Sequence, residues 1–501
     1  MASVANLYSA VHAAWNEGRL ENVLERQKQL ALLHGNVKKS SKQLVATIVQ
    51  ELKSSEESAA AELQLVLENI KHHYDVLDFP ATLTKEAAVR KGSSNMDNSV
   101  PLGPTLIDAN PFVPVASTLI PLAAAVAAGS AVLVLALSGF PILNTELRRI
   151  VSASMDVEAV AIAPDDSSDT REQLCSMRFE VAVLQNSSHW NDLRNGLFMT
   201  NPTIRIHSPA TGFPAVFVDR STRDVEAVAK HLYHAVLCAP RHNPSRVPRL
   251  CFVDESKAKD LESYLVRAGP ASIRRLEVAK DWQKTQQLCK LLQTVLPSLV
   301  NKAISQETFA SVIALESSES ITVDSIGAVA QSMAKSHGGI LLVPISSMDH
   351  GIDILNKLNK AAPSEIVYAF GDGKAGLYVG SFVKTLQVCV NEVPQWSLVF
   401  ETSPSSQSKS DKIWYSPEAF SFNKPIRQGA PKASPKPSSG RNVLWPVIAH
   451  TLPLGKIKQP KGGRLSYFER GLLIGLAIGL LTITGASVAV RRVIQNFLKR
   501  P

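Results

Sequence analysis

The sequence predicts an α/β fold: two doubly wound α/β domains, a helical N-terminal region and a C-terminal transmembrane helix. Two blocks of the chain alternate short apolar runs with polar stretches of helical periodicity, the pattern of repeated βα units in a parallel sheet. Residues 5–78 instead keep apolar positions at helical spacing. Near the end, GLLIGLAIGLLTITGASVAV (residues 471–490) carries no charge, with Arg470 before it and Arg491 and Arg492 after it. A helix of that length, rising about 1.5 Å per residue, crosses a hydrocarbon core about 30 Å thick.

In chain order, LENVLERQKQLALLHGNV, SKQLVATIVQEL and AAAELQLVLENIKHHYDVL give helices, and Phe79-Pro80 closes that region. His72 and His73 are expected on the polar side of the last of them. The polar TKEAAVRKGSSNMDNS leads into a segment with no charged residue between Asp108 and Glu146. Within it, VASTLIPLAAAVAAGSAVLVLAL has the look of a second membrane span. Pro121, the alanine-rich stretch after it, Gly129-Ser130 and the leucine-rich, β-branched AVLVLAL favour a short buried helix, a turn and a buried parallel strand instead. VEAVAIA, FEVAVL, IRIHS and AVFVD are the next strands, alternating with polar helical stretches. From about 247 to 385 the alternation returns, with strands at RLCFVDE, FASVIAL, GGILLVPI and SEIVYAF.

With 45% hydrophobic and 19% charged residues, the chain has a globular composition. Its formal net charge of +9 is concentrated in one interval. Lys424, Arg427, Lys432, Lys436, Arg441, Lys456, Lys458, Lys461 and Arg464 lie between Glu418 and Glu469 with no acidic residue among them, so these nine equal the whole excess. The rest is near neutral, which argues against a nucleic-acid partner. A basic stretch ahead of a membrane helix either lies against anionic headgroups of the lipid bilayer, at about 1 kcal/mol per basic residue, or serves as a solubilising tether. Cys175, Cys238, Cys251, Cys289 and Cys389 are odd in number and form no CxxC or Cys/His pattern, which argues against a disulfide framework or zinc site. MASVANLYSAVHAAWNEGRL has no apolar core of signal-peptide type. The expected location is a membrane, entered by a single-pass tail anchor with a cytosolic body; endoplasmic reticulum, peroxisome and mitochondrial outer membrane all fit. Within the anchor Gly471, Gly475 and Gly479 repeat every four residues, a spacing that lets two helices approach closely and favours dimers.

PLGPTLIDANPFVPVASTLIPLAAAVAAGSAVLVLALSGFP resembles the nucleotide-domain entry of the aldehyde dehydrogenase superfamily, where a proline-rich turn carrying an asparagine precedes a helix and a strand ending in lysine. GFPAVFVDRSTRDVEAVAKHL is similar to the family's segment from the general-base motif to the helix before the nucleophile, and VPRLCFVDES to the strand after it. IDILNKLNKAAPSEIVYAFGDGKAGLYVGSFVKTLQVCVNEVP resembles the late catalytic domain. A C-terminal membrane helix also occurs in the fatty-aldehyde branch and in fungal relatives. The resemblance implies a helical region packing on the nucleotide domain (1–98), a Rossmann-like domain (99–220) and a catalytic-type α/β domain (221–400). After these come a return to the nucleotide and oligomerisation region (401–425), the basic Pro/Ser/Lys tether (426–469) and the tail anchor (470–492). It also implies a homodimer, or a heterodimer with an active relative.

Aldehyde oxidation in that family needs a cysteine thiolate, donors for an oxyanion, a nicotinamide cofactor and a carboxylate that activates water. The resemblance places these columns on unsuited residues. The nucleophile falls on Ser245, or on Pro244 with one inserted residue; Cys238 takes the role only if the loop after Cys238-Ala239-Pro240 has lengthened. The general base falls on Ser208 or Pro209, and no acidic residue lies between Asp192 and Asp219. The oxyanion asparagine falls on Phe112, with Asn110 nearby. The strand-end lysine falls on Leu135, and no lysine occurs from 92 to 229. The turn opening the pyrophosphate helix corresponds to LQNSSHW, which has no glycine, and the ribose-binding carboxylate motif to Lys335-Ser336-His337-Gly338-Gly339. Of the other candidates, His231 and His234 share a helix without a third metal ligand, and Gly371-Asp372-Gly373-Lys374 has turn composition rather than phosphate-loop spacing. The expectation is a degenerate active site in a membrane-anchored pseudoenzyme that acts as scaffold or regulator, with no cofactor and no metal. The alternative is a divergent oxidoreductase that oxidises lipophilic aldehydes to acids, with Cys238 as nucleophile and NAD or NADP as cofactor.

Overall fold

The computed structural model describes residues 3–92, 98–137, 139–186, 189–237, 246–267, 299–300, 311–315, 326–327, 339–394, 398, 415–424 and 471–476. Five helices open the chain: α1 (Val4–Asn16), α2 (Val23–Lys39), α3 (Ser41–Leu52), α4 (Glu56–Val76) and α5 (Phe79–Arg90). All but α3 start at a side-chain acceptor, since Ser3, Asn22, Ser55 and Asp78 each take a hydrogen bond from a first-turn amide. Pro80 therefore opens a helix instead of closing the helical region, because a proline in the first turn forfeits no helical hydrogen bond.

The first sheet is parallel and five-stranded. After β1 (Asn98–Pro101) come β2 (Thr105–Asp108), α6 (Pro114–Ala128), β3 (Val132–Leu135), α7 (Pro141–Ser152), β4 (Val160–Ile162), α8 (Ser168–Cys175), β5 (Val181–Leu184), α9 (Trp190–Thr200) and β6 (Arg205–His207). The strand order β4-β3-β2-β5-β6 is that of a Rossmann half, with its topological switch between β2 and β5. The segment that imitates a membrane span folds as a helix, a turn and a strand. Every residue of α6 is buried, Gly129 ends it in the left-handed region at φ 97, and β3 is buried throughout. His73 departs from the sequence reading: it is buried at 0% exposure, because α4 packs against α2, α3 and α6 at once.

The second sheet is built from β7 (Ala215–Val218), α10 (Val225–Leu232), β8 (Leu250–Asp254), α11 (Glu255–Arg267), β9 (Leu299–Val300), β10 (Ser311–Leu315), β11 (Gly339–Ile345), α12 (Met348–Leu358), β12 (Ser364–Phe370), α13 (Gly373–Phe382) and β13 (Thr385–Val390). Its order is β13-β12-β7-β8-β11-β10-β9, parallel except that β9 runs against β10. The chain then comes back to the first sheet. A 3-10 turn at Pro417–Phe420 leads into β14 (Ser421–Lys424), antiparallel to β1. Arg205 on β6 donates to the carbonyls of Glu418, Ala419 and Ser421, and the buried His207 ring meets the Ala419 carbonyl at 3.0 Å.

The chain divides into two units, Met1–Arg427 and Gln428–Pro501. In the second, residues 471–476 are helical and include Gly471 and Gly475; Gly479, Arg491 and Arg492 lie outside the described residues. Among the described residues no helix is long and apolar enough to cross a membrane.

Candidate functional site

In a doubly wound sheet, ligands bind beyond the strand carboxyl ends where the strand order reverses. Here that place lies beyond Asp108 and Leu184, the last residues of β2 and β5. The chain's own side chains occupy it. Pro121 has no N–H, so the Ser117 carbonyl one turn earlier in α6 loses its helical partner. It accepts from Gln185 Nε2 at 2.8 Å instead. Asn110 closes the turn before α6: its Oδ1 accepts from the Phe112 amide at 2.8 Å, and its own amide donates to Ser117 Oγ at 2.9 Å. Ser117, Gln185 and Asn110 are all buried. Asn110 is thus committed to its own turn.

Beside this network His189, at the start of α9, sets Nε2 3.4 Å from Asp108 Oδ2 and 3.8 Å from Asp166 Oδ1. Neither Nε2 nor Asp108 Oδ2 has a well-aligned hydrogen-bond partner among the described residues. Burial pushes the Asp108 carboxyl up to about 6, and the contact with that carboxyl raises the imidazole of His189. Arg171 pairs with Asp166 at 2.8 Å. The arrangement sets one imidazole against two carboxylates. Leu135 ends β3 inside the apolar core at 1% exposure.

Two residues at this edge escape the sequence reading. Glu62 on α4 accepts from the Val115 and Ala116 amides at 2.9 and 2.8 Å, and Glu51 on α3 accepts from the Ile142 and Leu143 amides, both at 2.9 Å. They cap α6 and α7 from outside. A signal for them is present in the sequence: Val113 and Phe140 stand at the two N-cap positions, and neither side chain can accept a hydrogen bond. Burial drives the Glu62 carboxyl up to about 7 against the pull of the two amides.

The other candidate place precedes β8. Cys238 and Ser245 lie outside the described residues, as do Pro244 and residues 335–338. The structure fixes both flanks of the 238–245 segment. On one side α10 runs into a π-helical turn at Tyr233–Leu237, a feature that often marks functional sites. On the other, Arg246 Nη2 pairs with Glu365 Oε1 at 3.2 Å, both side chains fully buried, and Tyr368 Oη donates to the Arg246 carbonyl at 3.3 Å. Burial holds the nearby Arg249 down to about 10. Ser208 and Pro209 follow β6 and bring no carboxylate. His231 lies 6.0 Å from the Phe370 ring and His234 6.0 Å from that of Tyr233. Among the described residues no group of three or more His, Cys, Asp and Glu could hold a metal. Asp372 caps α13 through the Ala375 amide at 2.7 Å, so Gly371-Asp372-Gly373-Lys374 is a helix-opening turn.

No family model and no curated protein matches the sequence. Solved structures do. The substrate-bound state of Staphylococcus aureus AldH matches with a TM-score of 0.65 at 16% identity, over 86% of this chain and 96% of that one. An Aldehyde Dehydrogenase C mutant from Pseudomonas syringae, in complex with NAD+ and octanal, gives 0.61 at 14% identity, over 78% and 82%. Glyceraldehyde-3-phosphate dehydrogenase GapN from Methanocaldococcus jannaschii, complexed with NADP, gives 0.63 at 13% identity, over 84% and 94%. The chain has the α/β fold of the aldehyde dehydrogenases, as the sequence resemblance implies.

Proposed function

We propose that this chain is an aldehyde-dehydrogenase-like pseudoenzyme, held to a membrane by its C-terminal segment with its body in the cytosol. In this reading it serves as a scaffold or regulator and pairs with a second copy or with an active relative. The switch crevice carries the reading. Gln185 bridges to Ser117 there, and Asp108 and Asp166 flank His189 where a dinucleotide's pyrophosphate needs free amides and positive charge. These residues do not fit NAD or NADP. The test is a calorimetric titration of the chain with each cofactor: no heat at millimolar concentration is expected, and saturable micromolar binding overturns the reading. For the anchor, the full chain should resist alkaline carbonate extraction while a chain ending at residue 469 is released.

A second reading draws on the Pseudomonas syringae neighbour, whose complex contains NAD+ and octanal. Under it the chain oxidises lipophilic aldehydes through Cys238, and Cys238→Ala abolishes turnover of long-chain aldehydes.

A further inference from the structure

A groove of about 670 Å³ runs between α2, α3 and α4, within the size range of small-molecule sites. Along α4 its lining extends from Glu56 to Lys71, about 22 Å at 1.5 Å per residue. The floor is apolar, made by Val45, Ala60, Leu63 and Leu67. The ends differ in charge. Glu56 lies at one end, and at the other His34 and Lys42 from the α2–α3 corner meet Lys71. Burial, then the positive charges of Lys38 and Lys71, hold the pKa of His34 down. The ammonium groups of Lys38, Lys39 and Lys42 make no ion pair or hydrogen bond among the described residues. Lys71 pairs with Asp75 on the exposed surface, and Glu68 on the groove wall is engaged by Gln64 Nε2 at 3.0 Å.

We propose that this groove binds a long-chain fatty carboxylate, its acyl chain along α4 over Val45, Ala60, Leu63 and Leu67 and its head at the His34, Lys42 and Lys71 corner. An anionic head supplies a countercharge for Lys42, which has no ion pair among the described residues, and adds to the Asp75 contact of Lys71; a neutral or cationic amphiphile does neither. A single extended chain uses the length of the floor. The site shares no residue with the switch crevice and does not depend on how that crevice is read.

The test is photolabelling of the full chain with a diazirine analogue of hexadecanoic acid, with adducts mapped by mass spectrometry. Adducts are expected within residues 41–71, displaced by excess hexadecanoate and not by hexadecyltrimethylammonium. From octanoate to tetradecanoate, competition should strengthen up to about fourfold per methylene, the limit for full burial. The Lys42→Glu/Lys71→Glu chain should lose about tenfold in labelling, from two exposed charge reversals. Ala60→Trp, at an exposed position on the floor, should block the groove while circular dichroism stays unchanged. Labelling that is absent, maps elsewhere, ignores head-group charge or survives both variants overturns the proposal.

Discussion

The bridge across the switch crevice can be cut so that its hydrogen bond is separated from its packing. Gln185→Leu keeps the bulk of the side chain and removes the donor, leaving the carbonyl of Ser117, a residue at 0% exposure, without that partner. An unsatisfied buried acceptor costs about 1–3 kcal/mol. Pro121→Ala gives the same carbonyl the helical N–H that proline denies it. In the Pro121→Ala chain, Gln185→Leu should therefore cost only residual packing, under ~1 kcal/mol. The resulting coupling of about 1–2 kcal/mol exceeds the scatter of independent sites. Native-state hydrogen exchange over residues 114–128 and 181–186 measures the local opening free energy without assuming that the whole chain unfolds in one step. An equal cost of Gln185→Leu in both backgrounds would refute the argument that Pro121 makes the carbonyl available.

Three further outcomes are expected. Arg246→Met or Glu365→Gln alone breaks a buried ion pair and lowers stability by about 3–5 kcal/mol, whereas the Arg246→Met/Glu365→Leu pair recovers most of that loss in thermal melts. His207 and His73 contribute to acid sensitivity: burial holds their folded-state values at about 4 and about 3, below the ordinary 6.5, so the unfolded chain binds more protons between those values. Their contribution is full above pH 6.5 and falls as the pH drops toward 4, by roughly 3 kcal/mol for His207 alone, and urea midpoints of a His207→Gln chain should fall less steeply. Glu62 has the opposite sign. Its folded value of about 7 lies above the ordinary 4.5, so its contribution is full below pH 4.5 and declines as the pH rises through 7. Glu62→Gln keeps an acceptor for Val115 and Ala116 and should be more stable than the parent at pH 8, by up to ~3 kcal/mol, with the gap closing toward pH 5.

What is legible in the sequence follows from how each element is buried. Strands covered on both faces read as near-continuous apolar runs, and FEVAVL, AVFVD and SEIVYAF each contain one. Pro121 and Gly129 distinguish the α6–β3 unit from a membrane span, because both mark backbone events that a span of that length has no need of. The short edge pair β1–β14 is hidden, since its strands lie far apart in the chain, Ser99 Oγ meeting Ser421 Oγ 322 positions on, and neither strand is apolar. The crevice is hidden for a related reason: Asp108, Asp166 and His189 form no motif, and only the strand order brings them together. For Glu51 and Glu62 the sequence shows the need for a cap without showing its source, 91 and 53 positions upstream. Cys238 and Ser245 fall outside the described residues, and the structure describes only the flanks of that segment.

Those caps bear on the proposal that this fold is kept without cofactor chemistry. Four helices follow strands of the first sheet, and their N-termini share its carboxyl edge, where each offers roughly half a positive charge to a bound anion. In this chain every one of them already has an acid of its own. Glu62 stands at α6 and Glu51 at α7, Asp169 lies in the first turn of α8, and Asp192 lies in the first turn of α9, whose N-cap His189 meets the Asp108 and Asp166 carboxylates. The cations that could offset them are tied down as well: Arg171 by Asp166, and Arg148 by the carbonyls of Ala163 and Pro164. Residues 92 to 229 hold no lysine to replace them. Two of the acids come from the N-terminal helices, so docking α3 and α4 and neutralising the edge are one event. A bound pyrophosphate needs that edge open and positive, and here side chains of the same protein fill it.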